Sequence, residues 1–157
     1  MEVKFFFFVV VVFSMCILFP FSSAKSTDFH YCNEKTNYAI KVSGVDITPY
    51  PVKAGKESTF SIAATTDDSI SGGKLIIDVK YLFLHVHQET HDICKETSCP
   101  VSGDFVLSHS QVLPGIAPPG SYTLTMKMVD RSNQELSCIT FGFSLSLIAE
   151  SVAVADG

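Results

Sequence analysis

The chain has 157 residues, which is enough for one domain and a processing segment, and it carries a formal net charge of −5 with 46% hydrophobic residues. An acidic chain without a run of Lys or Arg is poorly suited to bind nucleic acid, and it gains little from attraction to anionic lipid surfaces. We therefore expect no nucleic-acid partner.

Residues 1–24 have the features of a secretory signal peptide. The apolar run 5–21 follows a weakly positive start with Lys4, and small residues at 22–24 stand at the cleavage positions. An uncleaved membrane anchor is the alternative, because the apolar run approaches the length of a membrane span. Pro20 and the small residues after it favour cleavage. The mature protein is then expected to be secreted or lumenal in the secretory pathway, either extracellular or vacuolar, where disulfides persist.

Alternation of apolar and polar residues predicts strands through the rest of the chain, and no convincing helix is visible. Ser43-Gly44 indicates a bulge in the first strand. Turns rich in Gly and Pro separate about seven strands at regular intervals, which predicts an all-β sandwich of two sheets. In chain order, the main predicted strands are residues 39–48, 58–66, 74–87, 104–112, 122–128 and 138–147.

The third and the last of these patterns are the strongest. Residues 74–87 give the longest strand signal, and both of their faces are apolar from Tyr81 onward, which indicates an edge that passes between two layers. Residues 66–73 and 88–100 are predicted as loops. In the last strand, apolar residues alternate with small Ser, Thr and Gly residues, so one face is predicted to lie in the core. A hairpin turn at 130–133 leads into it.

Removal of the leader would leave four cysteines, for which three pairings exist. Cys94 and Cys99 are too close in the chain to bridge different ends of a sandwich, so they are predicted to pair locally. That leaves Cys32 to pair with Cys138. A reduced zinc site is the alternative, and the leader argues against it because it implies an oxidising compartment; its ligands would be His87, His91, Cys94 and Cys99. We therefore expect no metal.

The sequence lacks the motifs of common enzyme classes. The nucleophile elbow Gly-x-Ser-x-Gly, the phosphate loop and the dinucleotide fingerprint are all absent. Asp67, Asp68 and Asp92 are isolated acids in predicted loops. We expect neither an enzyme nor a cofactor. The apolar interior remains as the functional candidate, and the pattern fits a tightly packed core as well as a cavity between the sheets.

Four segments follow one another in a characteristic order: VDITPYP at 45–51, KAGKE at 53–57, CKETSCP at 94–100, and Cys138 at the start of the last strand. Their order resembles the ML family, the MD-2-related lipid-recognition domains, in its plant-like form. The layout is similar to that of the lysosomal sterol carrier of Niemann-Pick type C disease over residues 29–147. The resemblance implies an immunoglobulin-like sandwich over residues 25–149 with an internal lipid cavity. Residues 150–157 show no pattern and are predicted to be a flexible tail.

The resemblance implies a monomeric, secreted lipid-binding protein that carries or transfers a sterol or a phospholipid and makes transient contact with membranes. A lipid sensor or co-receptor, which presents lipid to a membrane receptor in defence or stress signalling, is the alternative. A structural sandwich with a filled core is a third hypothesis. The mouth of the cavity is predicted at residues 81–84 and 116–119. The candidate lipid-binding residues are Phe60, Ile62, Leu75, Ile77, Val79, Tyr81, Tyr122, Leu124, Met126, Phe141, Phe143 and Leu145.

Overall fold

The computed structural model describes residues 23–147, so nearly all of the predicted leader and the whole of the predicted tail lie outside the described residues. Over that range, no helix is long and apolar enough to cross a membrane. The described residues form ten strands and one short helix. These are β1 Lys25–Ser26, β2 Phe29–Tyr31, β3 Ile40–Thr48, β4 Val52–Lys53, β5 Glu57–Ile70, β6 Gly73–Tyr81, β7 Leu84–Asp92, α1 Ile93–Glu96, β8 Val101–Val112, β9 Gly120–Asp130 and β10 Glu135–Ser146.

The strands form two sheets that enclose one hydrophobic core. The four-stranded sheet has the order β1-β3-β5-β8, and the six-stranded sheet has the order β2-β10-β9-β6-β7. Neighbours in each path are antiparallel, whereas the short β4 joins the six-stranded sheet by parallel pairing with the end of β10. This architecture confirms the predicted all-β sandwich.

The alternation of β10 is reproduced in its burial. Phe141, Phe143 and Leu145 point into the core and are each 3% exposed, while Gly142 faces outward. Burial of such side chains is the main favourable contribution to folding, at about 1.5–3 kcal/mol for each large one. The predicted bulge at Ser43-Gly44 is also confirmed, because the pairing of β3 with β5 shifts register there.

Residues 74–87 do not form the single long strand that was predicted. β6 ends at Tyr81, the chain turns at Leu82 and Phe83, and β7 runs back antiparallel to β6 as far as Asp92. Leu82 has a φ of 55°, a left-handed conformation that is uncommon for a residue other than glycine. A turn made of apolar residues gives no turn signal in the sequence, so the prediction of a loop over 88–100 was wrong for its first part.

Three further differences concern short or extended elements. β5 continues to Ile70 through part of the predicted polar loop. The four-residue α1 was not predicted, because four residues are too few to show a helical period; the Asp92 side chain caps it by accepting a hydrogen bond from the Cys94 backbone N at 2.9 Å. The strand number exceeds seven because β1, β2 and β4 have only two or three residues each.

Both predicted disulfides are present. Cys32 and Cys138 are bridged with their Cα atoms 5.4 Å apart, and Cys94 and Cys99 with theirs 5.3 Å apart. The first bridge fixes the end of β2 to β10, and the second closes the short segment that contains α1. Because Cys94 and Cys99 are oxidised in this structure, they do not provide the thiolate ligands that the zinc alternative requires.

The two sides of the sandwich differ. On the side of β2 and β3, which we name the closed edge, hydrogen bonds join the sheets: Thr27 donates from its backbone N to Val45 O and from its hydroxyl to Gly142 O. The Tyr31 hydroxyl also accepts from Val42 N at 2.8 Å. On the other side, which we name the open edge, β7 and β8 end their respective sheets and do not pair with each other within residues 23–147. Side chains rather than backbone groups make the hydrogen bonds between these two strands.

Candidate functional site

A cavity of about 490 Å³ lies between the sheets at the open edge. Its walls come from β5 to β10 and from the Pro-rich loop 113–119. The volume is within the range of about 300–1,000 Å³ that is usual for small-molecule sites. The lining is mainly apolar and aromatic, which suits a ligand with a hydrocarbon body rather than a polar one.

The cavity brings together half of the candidate residues from the sequence. Six of the twelve line it, and they are Phe60, Val79, Tyr81, Tyr122, Leu124 and Phe143. The other six are buried in the core but are not part of the lining, and they are Ile62, Leu75, Ile77, Met126, Phe141 and Leu145. A period of two identifies the face of a strand that points inward, but it does not identify the position along the strand where the sheets separate.

The rest of the lining was not chosen from the sequence as lipid-binding. Loop residues 116–118 belong to the predicted mouth, and the remaining lining residues come from β7, β8 and the residues just after β8. Continuing the alternation of Phe105 and Leu107 along β8 would have placed His109 and Gln111 on the inward face, so a signal for these two was present. The additional lining residues are Val86, His87, His109, Gln111, Val112, Leu113, Pro114, Ile116, Ala117 and Pro118.

Stacked aromatic rings form one wall of the cavity. The Tyr122 ring is nearly parallel to that of Phe143, with centroids 5.3 Å apart, and lies 4.8 Å from that of Tyr81. The Tyr122 hydroxyl donates to Pro118 O at 2.7 Å. Burial, together with the charge that Tyr81 would carry, raises the pKa of Tyr122 above its usual value. The phenol therefore stays neutral and holds the Pro-rich loop in place.

Several exposed apolar side chains belong to the lining of the cavity or lie between lining residues in the chain. Phe83 at the β6–β7 turn is 93% exposed and Ile116 in the Pro-rich loop is 95% exposed. Contiguous apolar groups in contact with water mark an interaction surface more often than a free surface. We name this group the apolar rim, and it consists of Leu82, Phe83, Leu84, Val86, Val112 and Ile116. Leu82, Phe83, Leu84 and Ile116 belong to the segments that were predicted as the mouth, whereas Val86 and Val112 lie outside them.

Next to the cavity, four side chains bridge the open edge and form what we name the His–Glu cluster: Glu89 and His91 from β7, Glu96 from α1 and His109 from β8. The imidazoles of His91 and His109 lie against each other with ring centroids 4.6 Å apart. Burial raises the pKa of Glu89, but a hydrogen bond from His87 and the close imidazoles of His91 and His109 outweigh it, so that the pKa falls below its usual value. Glu89 is therefore a carboxylate.

Residues 26–145 match the family model of the ML domain. A Dictyostelium discoideum protein, provisionally assigned as a phosphatidylglycerol/phosphatidylinositol transfer protein, is 32% identical over 118 residues, which cover 72% of this chain and 81% of that protein. An MD-2-related lipid-recognition protein of Arabidopsis thaliana is 30% identical over 127 residues, which cover 75% and 77% of the two chains.

Solved structures show the same fold at low sequence identity. The crystal structure of a Niemann-Pick type C2 protein from the Japanese carpenter ant superposes with a TM-score of 0.60 and 14% identity. The match covers 76% of this chain and 99% of that structure.

Proposed function

The chain belongs to the ML domain family, and from that membership we propose that it binds a lipid in the cavity at the open edge and carries it between membranes. The observation that supports this most directly is that the cavity of about 490 Å³ opens beside the apolar rim. A site for a polar metabolite would not require exposed Phe and Ile side chains at its entrance. The proposed lipid-binding unit is residues 25–149.

The energetics fit a carrier. An acyl chain that buries about 15 CH₂ groups gains on the order of 12 kcal/mol relative to water, at about 0.8 kcal/mol for each group. Most of this gain is already present in the bilayer that the lipid leaves, and ordering of the chain in the cavity offsets part of the rest. The cavity therefore needs only to bind the lipid about as favourably as the membrane does. The lipid can then be released again at a second membrane.

We propose a phospholipid rather than a sterol as the preferred ligand. The Dictyostelium relative is assigned to phosphatidylglycerol and phosphatidylinositol, and the lining of this chain offers polar side chains, His87 and Gln111, beside the apolar wall. A lipid with a large polar headgroup can use such donors at the entrance while its chain fills the interior. The two disulfides in the described residues support a secreted or lumenal location, and we propose that the carrier acts as a monomer.

The alternative is a lipid sensor or co-receptor that presents its lipid to a membrane receptor. The Arabidopsis relative, which is named for lipid recognition rather than for transfer, favours it. A sensor and a carrier both bind lipid, but only a carrier moves lipid between vesicles without a partner protein.

The test is an unaided transfer assay with the purified protein. Donor vesicles contain a fluorescent phosphatidylinositol or a fluorescent sterol, and acceptor vesicles contain neither. We expect catalysed transfer of the phosphatidylinositol and slower transfer of the sterol. Lipid bound in native mass spectrometry without transfer would favour the sensor. No bound lipid and no transfer would leave a structural sandwich with a filled core.

A prediction concerns the apolar rim. Phe83→Ser should lower the rate of phosphatidylinositol transfer by roughly tenfold, because insertion of most of one Phe side chain into a bilayer contributes about 1.5–3 kcal/mol. Its stability should change little, since the side chain is 93% exposed. The matched control is Val106→Ser, which removes an exposed apolar side chain from the middle of β8, away from the mouth. Equal losses in both variants would argue against docking through the rim.

A further inference from the structure

We propose that Glu89, His91 and His109 bind one divalent transition-metal ion, with zinc as the best match, and that Glu96 orients the two imidazoles. The three residues come from the two strands that face each other across the open edge. One ligand atom from each lies within 4.8 Å of the others.

The Nε2 atoms of both histidines face the carboxylate of Glu89. His109 Nε2 lies 3.0 Å from Glu89 Oε1, and His91 Nε2 lies 3.2 Å from Glu89 Oε2. Two ligands that each lie about 2.1 Å from a tetrahedral zinc ion are about 3.4 Å apart. Each of the two contacts is within about 0.4 Å of that separation, and one ligand atom from each of the three residues lies within 4.8 Å of the others.

The Nδ1 atoms of the same two histidines face the second carboxylate. His109 Nδ1 lies 3.3 Å and His91 Nδ1 lies 3.5 Å from the oxygens of Glu96. A metal-binding histidine usually donates its other ring N–H to a carboxylate or carbonyl group, which fixes the tautomer and turns the free lone pair toward the metal. Glu96 is placed to receive this N–H from both rings.

Counting hydrogens shows why a cation fits between the groups. The two rings make four nitrogen–carboxylate contacts, but a neutral imidazole carries one N–H, so two neutral rings satisfy only two of the four. If both N–H groups point to Glu96, both Nε2 lone pairs point to a carboxylate. The lone pairs and the carboxylate repel each other, and a cation bound between them would be coordinated by all three groups.

Burial supplies an independent observation. The side chain of His109 is 5% exposed, and the Nε2 atom of His91 is buried and makes no hydrogen bond, although Glu89 Oε2 is close to it. A buried polar atom without a partner is costly in a folded protein. A ligand that binds this atom would remove the cost.

The donor set selects the class of metal. Two imidazoles and a carboxylate suit zinc or copper(II), whereas magnesium and calcium prefer sites made of oxygen atoms only. The ion would link β7 to β8, which share no strand pairing, and so it would fasten the open edge beside the cavity.

The sequence predicted no metal, and its zinc alternative used His87, His91, Cys94 and Cys99, of which the two cysteines are bridged. His109 stands 18 positions after His91 in the chain and belongs to the opposite sheet.

The experiment uses the purified protein, stripped with a chelator and then titrated with zinc chloride in competition with a chromophoric chelator. We expect one zinc ion for each chain in native mass spectrometry. Glu89→Gln, which keeps the shape of the side chain, should weaken binding by at least 100-fold. Glu96→Gln should weaken it by about 10–100-fold, the usual effect of losing an orienting carboxylate. Added zinc should raise the Tm of the wild type but not that of Glu89→Gln.

The matched control is His85→Gln on the same strand, where His85 contacts Asp78 outside the cluster. This variant should bind zinc as the wild type does, and magnesium at the same concentration should not bind to either. Absence of stoichiometric zinc from the wild type would overturn the proposal and leave a pair of imidazolium rings held by two carboxylates. Equal zinc affinity in Glu89→Gln and the wild type would overturn it as well. Neither result depends on lipid transfer.

Discussion

Replacing Phe141 and Phe143 by alanine, one at a time, is expected to separate stability from lipid binding. Both side chains point inward from β10 and both are 3% exposed. Only Phe143 lines the cavity. Phe141→Ala should lower the free energy of unfolding by roughly 3–5 kcal/mol, the usual cost of emptying a tightly packed site.

Phe143→Ala should cost less in the lipid-free protein, about 1–2 kcal/mol, because its ring already borders an open space and fewer contacts are lost. Lipid affinity should fall instead, since the ring forms part of the aromatic wall with Tyr122, or the preference should shift toward bulkier lipids. The measurements are denaturant unfolding of delipidated protein and transfer of fluorescent phosphatidylinositol. Severe destabilisation by Phe143→Ala with unchanged lipid binding in the folded fraction would place Phe143 in a solid core and contradict the proposed site.

Loss of the Cys32–Cys138 bridge is expected to have the second large effect. The bridge spans 106 positions, and a loop of about 100 residues corresponds to a stabilisation of about 5 kcal/mol on the chain-entropy model. The double variant Cys32→Ser, Cys138→Ser should therefore lose most of that amount in urea unfolding. The folded fraction should still transfer lipid, because the bridge lies at the closed edge.

The control for the long bridge is the short one. Cys94 and Cys99 are five positions apart, so their removal should cost only about 2 kcal/mol on the same model. Similar losses from the two double variants would show that strain or local packing, rather than the length of the closed loop, determines what each bridge contributes.

The sequence predicted the faces of the strands better than their ends. Alternation in β10 follows directly from the pleat of a strand, so its buried residues could be read from a single sequence. The turn at Leu82 and Phe83 could not, because neither residue is a usual turn former. Both side chains are largely exposed, which a prediction from hydrophobicity alone does not expect of Leu and Phe.

For a similar reason, only half of the candidate residues chosen from the sequence line the cavity. Phe143 and Met126 look alike in the alternation pattern, yet one lines the cavity and the other lies in the filled core. The difference depends on where the two sheets separate, which is a property of their packing. The His–Glu cluster could not be predicted from the sequence, because His91 and His109 lie on edge strands of different sheets and come together only when the two sheets pack.

The contrast between the closed and the open edge would let the two sheets rotate relative to each other about the closed edge. At the closed edge, hydrogen bonds through Thr27 and Tyr31 join the two sheets. Since neighbouring strands lie about 4.8 Å apart, β8 lies about 10 Å from β3, to which these hydrogen bonds attach. A rotation of about 12° at the closed edge would then separate the sheets by about a further 2 Å at β8.

Every ladder of strand pairing would stay intact during such a rotation. The contacts to be exchanged would include those of the His–Glu cluster, the Gln111–His87 hydrogen bond and the hydrogen bond from the Thr97 hydroxyl to Val106 O. Lipids of different cross-section could thus enter after a change in the angle between the two sheets. The aliphatic side chains beneath the cavity would keep their packing.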